Sequence, residues 1–196
     1  MTDKKEIRAS LPVEVREAEG EGVKVGGYAA VFNEWADIGS YFQERIMPGA
    51  FEGVLADDVQ FLINHRGLPL ARTTSGTLKL TVDERGLYME TTLDPADPDA
   101  ARIIPKIKRG DLSKMSFSFS VGKEEWDETG DVIKRTITDI VRLYDVAIVS
   151  EPAYHGTEIS LRSLEAARAA LAAGNPQHKP VRLVRMDMDL ALAALS

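Results

Sequence analysis

The sequence predicts a mainly β fold with helices, all-β or α+β in class: a small antiparallel barrel of about seven strands with peripheral helices. Three observations carry this. Met115 to Val121 alternates without a break, with Met115, Phe117, Phe119 and Val121 on one face and Ser116, Ser118 and Ser120 on the other, the period of a strand. Thr77–Val82 and Leu87–Leu93 also alternate, and they flank the turn signal Asp83-Glu84-Arg85-Gly86, which reads as a β-hairpin. Val141–Val149 is apolar on both faces apart from Arg142 and Asp145, the pattern of a central strand.

Composition bounds the function. The chain has 196 residues, of which 44% are hydrophobic and 28% charged, enough for one domain with a sizeable core and a tail. The net charge is −7, with acidic residues spread along the chain. That argues against a phosphate-binding surface, so nucleic acid is not expected as a partner. There is no cysteine, which excludes disulfide frameworks, cysteine nucleophiles and thiolate metal sites, and fits a reducing compartment. No apolar run follows Met1-Thr2-Asp3-Lys4-Lys5-Glu6, so no signal peptide is expected. No run approaches the roughly 20 apolar residues of a membrane span, so no membrane partner is expected. With three scattered histidines and no His-x-x-His spacing, neither a metal nor a cofactor is expected.

In chain order, Ile7–Arg16 alternates weakly as one strand, and Gly20-Glu21-Gly22 makes a turn. Val23–Phe32 is a second strand, in which Gly26-Gly27 marks a bulge or a close backbone approach. Residues 33–40 read as loop, Tyr41–Ile46 as a short strand and Pro48–Leu55 as a short helix or turn. Val59–His65 reads as a buried strand arriving at the loop Arg66-Gly67-Leu68-Pro69. After the hairpin, Asp94–Asp99 is a loop ending in N-cap chemistry. Ile103, Ile104 and Ile107 then follow helical spacing in Ala100–Arg109, which Pro105 should kink or shorten and Gly110 should end. Glu124–Asp131 is a polar hairpin tip, and Val132–Ile140 leads into the strand of Asp145. Ser163 to Ala173 reads as a helix capped by Ser163 and stopped by Gly174, residues 175–180 as a linker, and 181–196 as a short amphipathic tail.

The serine ladder invites a chemical question. Its plain reading is a half-exposed sheet face with small polar residues. The sharper reading makes one serine a nucleophile, which needs a base and a group to orient that base. The histidines are His65, His155 and His178. His65 sits at a strand end beside a Gly/Pro loop, where functional groups are often presented, although a surface turn holds such a residue equally well. Asp145 is the anomaly of an apolar strand, and a buried carboxylate needs a partner: a histidine N–H, or Arg142 or another basic side chain.

Together these segments resemble the phage prohead (capsid-maturation) protease family, distant relatives of the herpesvirus assemblins. The marks are Gly27-Tyr28-Ala29, Pro48-Gly49-Ala50-Phe51, Asn64-His65, Gly110-Asp111-Leu112, Met115-Ser116-Phe117, and Asp145-Val146-Ala147-Ile148-Val149-Ser150-Glu151-Pro152-Ala153. They span residues 24–160 in the family's order. The resemblance implies an assemblin-like barrel over residues 1–162, followed by the helix 163–174 and a tail, 175–196, that is removed or used for targeting. It implies a serine endopeptidase in which His65, Ser116 and Asp145 are catalytic, Asp145 standing where the family usually has glutamate. The substrate it implies is the scaffolding segment of the major capsid protein, and the protease itself, cleaved inside the assembling prohead in the host cytoplasm. Ser118 is a second candidate nucleophile, and His155 an alternative third triad member, as in assemblins. The oxyanion donors stay open between backbone N–H groups near Ser116 and Arg142. Dimerisation, as in assemblins, is a further implication. The alternative from another class is a non-catalytic capsid- or scaffold-binding barrel, which would have no reason to bring the three residues together.

Overall fold

In the computed structural model the described residues are 5–12, 14–17, 22–38, 41–150, and Leu164, Glu165, Arg168 and Ala169. They form eleven strands, one complete helix and part of a second. The mainly β class is as the sequence predicts, but the strands form two sheets rather than a closed barrel.

The larger sheet runs in the order β1 (Glu6–Pro12), β10 (Lys114–Asp127), β11 (Lys134–Val149), β5 (Phe42–Ile46), β4 (Ala36–Ile38), with β6 (Gln60–Ile63) also on β11 and β7 (Arg66–Arg72) on β6. The smaller sheet runs β2 (Glu14–Glu17), β3 (Val23–Val31), β9 (Gly86–Leu93), β8 (Leu78–Val82). A parallel bridge between Phe32 and Ile46 joins the end of β3 to β5, too little pairing to close a barrel. The stretch 7–16 is not one strand. Pro12 makes the last pair with β10, opposite Lys114, and Glu14 already pairs with Gly26 in the other sheet. Proline has no N–H to continue a ladder, so the chain changes sheets there.

β10 and β11 are the spine. They are 14 and 16 residues long and pair antiparallel from Lys114–Val149 to Asp127–Lys134, interrupted by bulges. The far edge of β11 takes two parallel partners in succession, β5 along Lys134–Ile137 and β6 along Asp145–Ile148. The ladder is therefore mixed, against the mainly antiparallel expectation for this stretch. Met115, Phe117 and Phe119 are buried in the main core, where Phe117 stacks on Phe119 and meets Phe51 edge-on.

The predicted β8–β9 hairpin forms, with Asp83 bonding the Arg85 and Gly86 amides across its turn. Gly26 is a close approach, since a Cβ there would lie 2.4 Å from the Tyr88 hydroxyl. The ladder shift falls later, between Tyr28 and Ala30. Residues 36–38 and 66–69, expected as loop, are strand, and 48–55 is turn. The helix α1 (Pro98–Arg109) starts at Asp97, whose side chain accepts from the Asp99 amide, and ends on Gly110 at φ 83°. The helix runs on through Pro105, which does not shorten it. The proline forfeits one backbone bond, while Ile103, Ile104 and Ile107 stay buried. Of the predicted helix 163–174, Leu164, Glu165, Arg168 and Ala169 are helical. The rest of it, with the linker and tail, lies outside the described residues. Among the described residues no helix is long and apolar enough to cross a membrane.

Candidate active site

The serine face of β10 is not half-exposed. Ser116 and Ser118 are completely buried, and Ser120 nearly so. β10 has β1 on one edge and β11 on the other, and Leu62, Ala147 and Val149 form a small apolar cluster apart from the main core. Ser116 stands opposite Ala147, and Ser118 opposite Asp145. Directly opposed residues share a face, so Ser116, Ser118 and Asp145 all point to the same side.

His65 arrives there by a tight reversal. Ile63 on β6 pairs with Arg66 on β7, leaving Asn64 and His65 as a two-residue turn with φ of 49° and 58°. Positive φ at both central positions is the I′ kind of hairpin turn, which Asn and His enter more readily than most residues. Asn64 fixes the turn: its amide bonds the Ile148 carbonyl, and its side-chain oxygen accepts from the Ser150 amide. So the short Asn-His pair, not a long loop, presents the imidazole.

The imidazole bridges serine and carboxylate. His65 Nδ1 is 2.5 Å from Asp145 Oδ1, and Nε2 is 2.7 Å from Ser116 Oγ. Ser116 and Asp145 are diagonal neighbours across β10–β11, about 7–8 Å apart at their backbones. One imidazole with a hydrogen bond at each end spans that gap. Asp145, though one methylene shorter than a glutamate, reaches the ring.

Asp145 is almost fully buried and holds two further donors, Ser118 Oγ at 2.5 Å and Lys5 Nζ at 2.9 Å on its other oxygen. Burial pushes its carboxyl up, but the bonds from His65, Ser118 and Lys5 outweigh this and hold it below the usual carboxylate range. The carboxylate is therefore charged at neutral pH. With an anionic acceptor on Nδ1, that nitrogen carries a proton, which leaves Nε2 of a neutral ring as the acceptor facing Ser116.

The other candidates that the sequence suggests fall elsewhere. Ser118 is committed to Asp145 rather than to the imidazole. Arg142 is opposite Ser120, four residues or about 13 Å along the strand from Ser116. It is an ion-pair partner of Asp57 at 4.0 Å, so it partners neither Asp145 nor an oxyanion beside Ser116. His155 lies outside the described residues. The sequence allows a basic partner for Asp145 but does not name Lys5, which lies 140 positions away. Sequence reasoning also misses a charged cluster on the opposite face of β1, where Arg8 meets Glu6 and Glu44, and Arg135 meets Glu6, Glu44 and Glu124. The Glu6-x-Arg8 alternation is the one local signal of that cluster. Among the described residues no group of acidic, histidine or cysteine side chains could hold a metal.

The family model for the caudovirus prohead serine protease matches residues 11–170. The chain belongs to that family. The prohead protease of Enterobacteria phage HK97 is 33% identical over 134 residues, 65% of this chain and 54% of the phage protein. The chain thus spans about half the length of the curated relative it matches. No solved structure matches it. The prohead-protease resemblance read from the motifs is therefore established at family level, while the likeness to assemblins rests on the motifs alone.

Proposed function

We propose that the chain is a serine endopeptidase of prohead maturation, with Ser116 as nucleophile, His65 as general base and acid, and Asp145 as the group that orients the imidazole and stabilises its charged form. The observation that carries this is the serine–imidazole–carboxylate chain of contacts at 2.7 and 2.5 Å. The family name supports the reaction class. The runner-up, a non-catalytic scaffold-binding protein, has no use for that alignment.

In this mechanism Ser116 Oγ attacks the scissile carbonyl while His65 Nε2 takes its proton. The imidazolium is stabilised by the charge of Asp145. His65 then protonates the leaving amine, and the acyl-Ser116 ester is hydrolysed by a water that His65 deprotonates. Ser118 holds Asp145 in place and is a positioning residue. By family resemblance the substrate is the scaffolding segment of the phage capsid protein and the protease's own chain, cleaved inside the assembling prohead.

The test is co-expression with the cognate capsid precursor, followed by intact-mass analysis of both chains. The wild type should trim the precursor, and Ser116→Ala should leave it whole. Continued trimming by Ser116→Ala would reject Ser116 as nucleophile.

A further inference from the structure

Ser116 has no solvent exposure, so a substrate cannot reach it as it stands. What lies against it is β1, the edge strand of the larger sheet. β1 runs antiparallel to β10, with Ile7 opposite Ser118 and Ala9 opposite Ser116. The Arg8 carbonyl oxygen is 2.7 Å from Ser116 Oγ. An extended backbone added to the nucleophile's strand, with a carbonyl against the hydroxyl, is how a peptide substrate would lie, because addition to a sheet edge is a recurring mode of peptide binding.

Two contacts make this arrangement unproductive. The Ser116 hydroxyl has one proton and two acceptors at 2.7 Å, His65 Nε2 and the Arg8 carbonyl. A carbonyl oxygen cannot take that proton as a base, so a proton directed to Arg8 is withheld from the imidazole. Lys5, from the same segment, places a cation 2.9 Å from Asp145. It offsets the negative charge that an imidazolium would need beside it.

We propose that the edge of β10 at Ser116 is a strand-addition site for an extended peptide, and that β1 occupies it as an internal pseudo-substrate that must be displaced before cleavage. This rests on the serine-protease reading above. Displacement has a cost: it separates the buried Glu6 and Arg8 from Arg135 and Glu44, to which they are ion-paired, and binding of the substrate strand must offset it.

The chain has no cysteine, so a locking disulfide can be introduced cleanly. Pro12 and Lys114 are cross-strand partners, and such pairs have Cα separations of about 4.5–5.5 Å, within disulfide range. The full-length Pro12→Cys/Lys114→Cys protein is reacted with a fluorophosphonate, and adduct formation on Ser116 is timed by peptide mass. The oxidised form should label at least tenfold more slowly than the reduced form, and reduction should restore the rate. Equal rates would overturn the pseudo-substrate while leaving Ser116 a nucleophile. Absence of any adduct in the reduced form would overturn both readings. Should the disulfide not form, hydrogen–deuterium exchange of the wild type decides: amides of Glu6–Ala9 should lose protection once Ser116 carries the adduct, and unchanged protection would overturn the proposal.

Discussion

β1 and β10 separate two buried polar clusters that differ in kind. On one face, Ser116, His65 and Asp145 form a line of unlike groups with a hydroxyl at its end. On the other, Arg8 and Arg135 are interleaved with Glu6, Glu44 and Glu124. The second cluster is the more charged. Its Arg135 guanidinium is fully buried, and the glutamates around it overcome the effect of burial and raise its pKa further. Yet its glutamates are held in ion pairs with arginine, and its strongly basic members cannot exchange protons near neutral pH. On the proposed reading, burial and charge do not mark the reactive site; a hydroxyl aligned with an imidazole does.

Substitutions should separate the two clusters. The largest effect is expected for Ser116→Ala, which should lower peptide-cleavage turnover by at least about 10⁴-fold. Its urea-unfolding free energy should shift by no more than about 2 kcal/mol, the scale of the hydroxyl's hydrogen bonds. Arg135→Ala should do the reverse. Leaving buried glutamates without their cation costs about 3–5 kcal/mol of stability, while the folded fraction keeps its turnover. If folded Arg135→Ala were inactive, the clusters would not be separable. Asp145→Asn should cost about 10³–10⁴-fold in turnover through the wrong imidazole tautomer. Ser118→Ala removes one bond to the charged carboxylate and should cost about tenfold in turnover, with Ser118→Thr recovering most of it.

The pH dependence follows the same division. The Asp145 carboxyl is held below its ordinary value, so the unfolded chain binds a proton there more readily than the folded one. Its contribution to stability is complete above about pH 4 and is lost as pH falls through the depressed folded value. Asp145→Asn should lack that component in acid titrations of the unfolding free energy, whereas Ser116→Ala should keep it.

Local patterns make the serine–histidine–aspartate cluster legible. Ser116 shows as a break in the composition of an alternating strand, and Asp145 as a charge in an apolar one. His65 stands at a strand end. The hairpin β8–β9 and the helix α1 are legible for the same reason, since their signals are contiguous. What stays hidden depends on distant pairing. The split into two sheets turns on Pro12, the ionic cluster joins positions up to 129 apart, and Lys5 meets Asp145 across 140. Nothing in a local window fixes such partners. The Asn64-His65 reversal also reads as a longer loop from sequence, because its turn uses two non-glycine residues at positive φ.

The most direct test of the central claim is the site of fluorophosphonate modification in the wild-type chain, mapped by tandem mass spectrometry with His65→Ala beside it. A single adduct on Ser116, absent from His65→Ala, is the result this account predicts. An adduct on Ser118, or one on Ser116 that forms as fast without His65, would contradict it.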